Sequence, residues 1–190
     1  MDVIVTNLQG APVDVGFVRD VLQRALRLQG YREPPDVGVA LVDDSYIRAL
    51  NREYRGGDYA TDVLAFPIDS TNEPPAPPRA AGAAQMRAVE PMLGDIVISV
   101  QRAREQARQF KHPLRREVAL LAIHGLLHLL GYDDETESAA SVMWARQKEL
   151  LKTILGETAP ASAPREDLRP RAAVRPRPRS GQDAVRGLRR

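Results

Sequence analysis

Two histidines set four residues apart carry the most concentrated chemistry in this chain: His124 and His128, in the run HGLLHLLGYDD that closes at Asp134. On a helix this spacing puts both imidazoles on one face, one turn above the other, within reach of a single metal ion. Gly131, three residues after the second histidine, suits the position just past a helix end, where the chain can turn sharply and return. Asp133 or Asp134 could then offer a third ligand. Two imidazoles and a carboxylate leave the fourth position of a tetrahedral zinc open, which is the catalytic rather than the structural arrangement. A histidine pair at i, i+4 is weak evidence by itself. Here the chain has three histidines in all, and an apolar run, a helix-stopping glycine and two aspartates adjoin the pair, which turns the balance toward metal binding. The residue after His124 is Gly125, where metalloproteases of the H-E-x-x-H pattern carry their glutamate base, so the usual machinery for peptide hydrolysis is missing at its usual place.

Composition narrows the rest. There are no cysteines among the 190 residues, so disulfides, thiolate ligands and cysteine nucleophiles are excluded and any metal must be held by His, Asp or Glu. A hydrophobic fraction of 43% suffices for one packed core, no stretch has the length of a membrane span, and the start MDVIVTNLQG does not read as a signal peptide. The expected compartment is the cytoplasm. The net charge of +2 conceals an asymmetry: Pro160 to Arg190 holds nine arginines against three acidic residues, leaving 18 basic and 22 acidic side chains in the first 159 residues. The basic pI therefore belongs to the tail and is no argument that the folded part binds nucleic acid.

The elements that must position the histidines follow from periodicity. Alternating, β-branched runs predict strands at Val3–Leu8, Val37–Val42, Val63–Phe66 and Ile96–Val100. Asp14 is placed to cap a helix to Leu28 stopped by Gly30, and a short helix from Asp44 to Tyr54, ended by Gly56-Gly57, turns Tyr46, Ile47 and Leu50 inward. Three more helices are expected at Val100–Phe110, Pro113–Leu130 and Thr136–Leu155, with Pro113 in a first helical position and Trp144 in the core. His112 falls three turns before His124, too far to share its metal, and Glu117 reads either as support for the metal ligands or as a helix-face charge. Residues 69–91, rich in Pro and Ala, read as a long surface loop, and 157–190 as a disordered Arg/Pro-rich tail, leaving 1–156 as the metal-dependent hydrolase domain.

The histidine run, together with Asn51-Arg-Glu-Tyr54-Arg55, Asp58, Thr61-Asp62-Val63-Leu64-Ala65-Phe66, Leu93-Gly94-Asp95-Ile96-Val97-Ile98-Ser99 and Arg116-Glu117, resembles the YbeY endoribonucleases in order and spacing from about Val3 to Leu155. The family pattern is H-G-x-L-H-L-x-G-Y-D-H, with all three histidines as zinc ligands. This chain has Asp134 where the third histidine stands, and Ala65 where serine is usual. The resemblance implies that His124, His128 and Asp134 hold one zinc per chain and that Arg55 is the catalytic arginine near the cleft. A guanidinium there suits phosphodiester chemistry, because it can hold two phosphate oxygens at once. A carboxylate in place of the third imidazole is shorter, so its loop must approach more closely, and it lowers the positive charge available to the reaction.

The fold so implied is α+β, a single domain with a small mixed four-stranded sheet packed with about five helices and the zinc site at a helix C-terminal end. The function implied is single-strand-specific cleavage of an rRNA precursor, in 16S 3′-end maturation and ribosome quality control, with the ribosome or its small subunit as partner and no membrane. Two other readings stand beside it. One is a zinc-dependent peptidase or hydrolase, with Glu117 or Asp133 as base; the other is a non-catalytic ribosome-assembly factor. The tail arginines are expected either to contact RNA or ribosomal surface or merely to solubilise the chain.

Overall fold

The computed structural model describes residues 3–68 and 92–156; the loop expected at 69–91 and the tail expected at 157–190 lie outside the described residues. Along the chain run β1 (Val3–Asn7), α1 (Val15–Leu28), β2 (Val37–Val42), α2 (Asp44–Arg55), β3 (Val63–Pro67), β4 (Gly94–Ser99), α3 (Val100–Gln109), α4 (Leu114–Leu129) and α5 (Glu137–Leu155). The helix starts obey side-chain capping. Asp14 accepts from the Phe17 amide at 2.9 Å, Asp43 from the Tyr46 amide at 2.8 Å, and Thr136 from the Ala139 amide at 3.2 Å. Pro113 is the cap residue of α4 rather than its first helical residue, since its extended backbone precedes Leu114. The fourth strand begins two residues earlier than its apolar run, because Gly94 and Asp95 still pair with β2, and Val100 opens α3 instead of closing the strand.

The sheet is mixed, in the order β1-β2-β4-β3. Strands β1, β2 and β4 are parallel, whereas β3 pairs antiparallel with β4, Val63 opposite Ile98 and Pro67 opposite Gly94. One face of the sheet, with Val39, Leu41, Ile96, Ile98 and Ala65, packs into the main core with α1, α4 and α5. The other face meets α2 through a smaller cluster of Val42, Ile47, Leu64 and Val97. The expected α+β architecture is thus observed, with the five helices and four strands among the described residues.

Helix α4 is apolar nearly all round and is buried from Glu117 to Leu129, as a helix in the middle of a core must be. Two inward expectations are corrected. Tyr46 is 49% exposed, because it lines an open surface hollow beside Leu50 and Tyr54 instead of being covered by a neighbouring element. Trp144 is half-buried and outside the core cluster, because the apolar stripe of α5 runs through Met143, Leu150 and Ile154 and leaves Trp144 to one side of it.

Candidate metal centre

The last two turns of α4 carry His124 and His128, both buried, with ring centroids 4.7 Å apart and planes at 83°. Each imidazole has its Nδ1 engaged. His124 Nδ1 lies 2.9 Å from Gln147 Oε1 on α5, and His128 Nδ1 lies 3.1 Å from the carbonyl oxygen of Tyr132. Both partners only accept, so each Nδ1 carries the proton and each Nε2 is left with its lone pair. Those two Nε2 atoms face each other at 3.2 Å. Two converging lone pairs in a buried site repel, and a cation placed between them relieves the repulsion.

The third group arrives through the helix end. The Tyr132 amide donates to the Leu127 carbonyl at 3.0 Å and the Gly131 amide to the His128 carbonyl at 3.0 Å, with Gly131 at φ +86°. This paired closure reverses the chain, so the Tyr132 carbonyl returns over His128 and Asp134 follows it inward. Asp134 Oδ1 stands 4.0 Å from His128 Nε2, the carboxylate is 1% exposed, and neither of its oxygens has a hydrogen-bond partner among the described residues. Buried carboxylate oxygens are not left bare without cost. The two Nε2 atoms, 3.2 Å apart, match the separation of about 3.3 Å that tetrahedral zinc at ~2.0–2.1 Å requires, and all three ligand atoms lie within 4.8 Å of one another. His124, His128 and Asp134 are therefore positioned to bind a metal ion. The alternative left open between neighbouring aspartates resolves geometrically: Asp133 is exposed and accepts from the Glu135 amide at 3.0 Å.

Burial sets the protonation states. It is the largest cause of the lowered pKa of His124, and it brings His128 down to about 3, with neighbouring His124 adding to the shift. Both rings are neutral at pH 7, the form that ligates metals. The Asp134 carboxyl is pushed up to about 6, by burial first and by the charge of Asp133 second. A cation between the three groups would reverse that penalty.

Arg55 closes α2 beside this centre. Burial lowers its pKa, and the charges of Tyr59, Asp134 and Asp62 offset part of that cost. The turn that follows it is held by Asn51, whose buried side chain donates to the Tyr59 carbonyl at 2.9 Å. Asp62 is fixed through three bonds: from the Val63 amide at 2.9 Å, from Thr61 Oγ1 at 3.2 Å, and from Gln106 Nε2 on α3 at 3.0 Å. Asp58 lies on the surface in a two-bond pair with Arg48, 2.8 and 2.9 Å. His112 and Glu117 sit at the far end of α4, where His112 Nε2 lies 2.8 Å from the fully buried Glu117 carboxylate. Glu117 is thus neither a support for the metal ligands nor an exposed helix-face charge.

Two residues that position the site escaped the sequence reading: Gln147 and Gln106. The signal for Gln147 was a polar residue on the stripe Met143, Gln147, Leu150, at i, i+4 and i+7. Gly125 has a reason of its own. A Cβ there would stand 2.6 Å from Ile96 Cγ2, so α4 can lie this close to β4 only without a side chain, and a glutamate base has no room.

The matching family model, described as endoribonuclease YbeY, covers residues 13–155. The chain belongs to the endoribonuclease YbeY family. It is 43% identical over 155 residues to an endoribonuclease YbeY of Pelotomaculum thermopropionicum, covering 80% of this chain and 95% of the relative. It is 46% identical over 159 residues to that of Desulforamulus reducens, covering 81% and 97%. A solution structure of a Thermotoga maritima protein covers 86% of this chain and all of its own length at a TM-score of 0.54 and 23% identity, a likeness of fold. The YbeY-family match spans every element that brings the His-His-Asp group and Arg55 together. No helix among the described residues is long and apolar enough to cross a membrane.

Proposed function

We propose that this chain is a zinc-dependent, single-strand-specific endoribonuclease that matures the 3′ end of 16S rRNA from its precursor. We further propose that it acts in ribosome quality control in the cytoplasm, with the small ribosomal subunit as its partner. Family membership supports the nuclease reading. The observation that carries the metal requirement is the pair of Nε2 lone pairs converging at 3.2 Å beside two unpartnered oxygens of Asp134. In this reading His124, His128 and Asp134 hold the ion, and residues 1–156 form the hydrolase unit. Bound there, zinc would supply Lewis acidity toward a phosphate oxygen or a water. Gln147 and the Tyr132 carbonyl keep both Nδ1 atoms protonated and so keep the Nε2 atoms free to ligate. Arg55 takes two oxygens of the scissile phosphate and stabilises the negative charge that grows there. The absence of space at Gly125 and the pairing of Glu117 with His112 argue against the peptidase alternative, leaving it only Asp133, which accepts from the Glu135 amide, as a base.

The test is zinc content and RNA cleavage measured on the same preparations. One zinc per chain is expected in the wild type and none in His128→Ala or Asp134→Ala. Arg55→Ala should keep its zinc while kcat on single-stranded RNA falls by about 10²–10³. A wild-type protein that takes up no metal when zinc is supplied overturns the mechanism and leaves the assembly-factor reading.

A further inference from the structure

Arg104 and Arg108 stand at i and i+4 on one face of α3, and Lys111 follows two residues past the end of that helix. They line a surface hollow of about 540 Å³ bounded by Ala107, His112 and Pro113. Among the described residues none of the three is in an ion pair, whereas Arg102 on the same helix is held by Asp44 and Glu105 at 3.0 and 3.1 Å. The acid nearest in sequence beyond the helix, Glu117, is buried and lies against His112, so it offers the stripe little charge. An unbalanced cationic stripe is notable in a chain whose first 159 residues are net acidic.

The backbone supplies an independent observation. Four of the five helices end in a left-handed glycine: Gly30, Gly56, Gly131 and Gly156, with φ between +67° and +96°. Helix α3 alone puts another residue there, Lys111 at φ +53°, the one non-glycine residue with positive φ among the described residues. Glycine adopts this conformation without steric cost and lysine does not. Strain of this kind persists where the side chain has work to do, and Lys111 has no ion-pair partner among the described residues. His112, locked by buried Glu117, keeps the wall of the hollow in place beside it.

We propose that Arg104, Arg108 and Lys111 form a second, non-catalytic docking site for the phosphate backbone of the RNA substrate. This rests on the endoribonuclease reading and extends it. The stripe flanks the start of α4, about 15 Å along that helix from His124, so a strand engaged at the metal centre can continue onto it. Unpaired cations without base-reading groups bind phosphate irrespective of sequence, and they do so in a salt-dependent way.

The experiment uses the full chain, with its arginine-rich C-terminal residues intact, and a labelled single-stranded RNA followed by anisotropy across a salt series. Charge reversal at Arg104, Arg108 and Lys111 together should raise Kd at least tenfold and reduce the slope of log K against log salt by about 2. Reversal of Arg27, Arg32 and Lys148, three other exposed cations, should change both far less. Lys111→Gly alone should raise Tm, by relieving the backbone, while weakening RNA binding a few-fold. If the triple reversal does not fold, the triple glutamine variant takes its place, with the same loss expected. If wild type cleaves RNA but the variant binds with unchanged Kd and slope, or the control loses as much, the stripe is overturned and the endoribonuclease reading stands. If wild type binds through the stripe but does not cleave with zinc, the docking site stands and the activity falls. Wild-type protein that binds no RNA overturns both and leaves the stripe to an acidic protein partner.

Discussion

Which ring nitrogen carries the proton decides what His124 and His128 can do. Gln147 and the Tyr132 carbonyl hold both protons on Nδ1, so both Nε2 atoms point at one spot. Groups that orient metal-bound imidazoles typically contribute 10–100-fold to metal affinity. Gln147→Leu should weaken zinc binding by about that factor, read by competition with a chromophoric chelator, while the fold remains intact. Asp134 gives a second expectation, for the metal-free protein. Its carboxyl is pushed up to about 6, so the stability linked to it is fully present below about pH 4 and is lost as pH rises through about 6. Asparagine does not ionise. Metal-free Asp134→Asn should therefore gain on wild type by on the order of 2–3 kcal/mol between about pH 4 and pH 7.5, and urea titrations at the two pH values check it. A gain at the lower pH instead would mean that the carboxylate is not buried as described.

Among the elements, the α4–β4 contact sets where the histidines stand. Gly125 lies between them in sequence and against Ile96 in space, where an added Cβ would approach to 2.6 Å. Gly125→Ala should destabilise by about 1–3 kcal/mol, the usual cost of overpacking a core, in spite of alanine's better helix propensity. Its zinc affinity should also fall, because α4 can move off the sheet only by shifting both rings relative to Gln147 and Arg55 on other helices. Thermal melts and zinc titration of the same variant separate the two effects. The closure of α4 by Gly131 matters for the same reason: it delivers two site groups, the Tyr132 carbonyl and Asp134, from one turn.

For the whole molecule, the centre joins α2, α4, α5 and the turn after α4, so occupancy couples to global stability. A ligand that binds only the folded state stabilises by about 2.7 kcal/mol at a hundred times its Kd. Adding zinc to chelator-treated protein should raise Tm with zinc concentration, with the rise abolished in His128→Ala. The metal-linked rise should shrink as pH drops below about 6, where Asp134 gains a proton that the ion must displace.

The elements and the group of candidate ligands were legible in the sequence alone, because both rest on short-range signals. Capping aspartates, glycine stops and apolar periods of two or 3.6 mark strands and helices locally, and the i, i+4 histidines with the following glycine and aspartates occur within one run of eleven residues. What only the tertiary structure decided depends on residues far apart in the chain. Gln147 reaches His124 from another helix, Gln106 fixes Asp62 across the fold, and Ile96 explains Gly125. That Asp134 and not Asp133 lies with the two histidines follows from burial, which adjacent aspartates do not advertise. The exposure of Tyr46 and Trp144 followed from which parts of the sheet and core the neighbouring elements cover. Local patterns state what each segment prefers; packing decides which side chains meet, because burial and contact are properties of the assembled layers and not of any one of them.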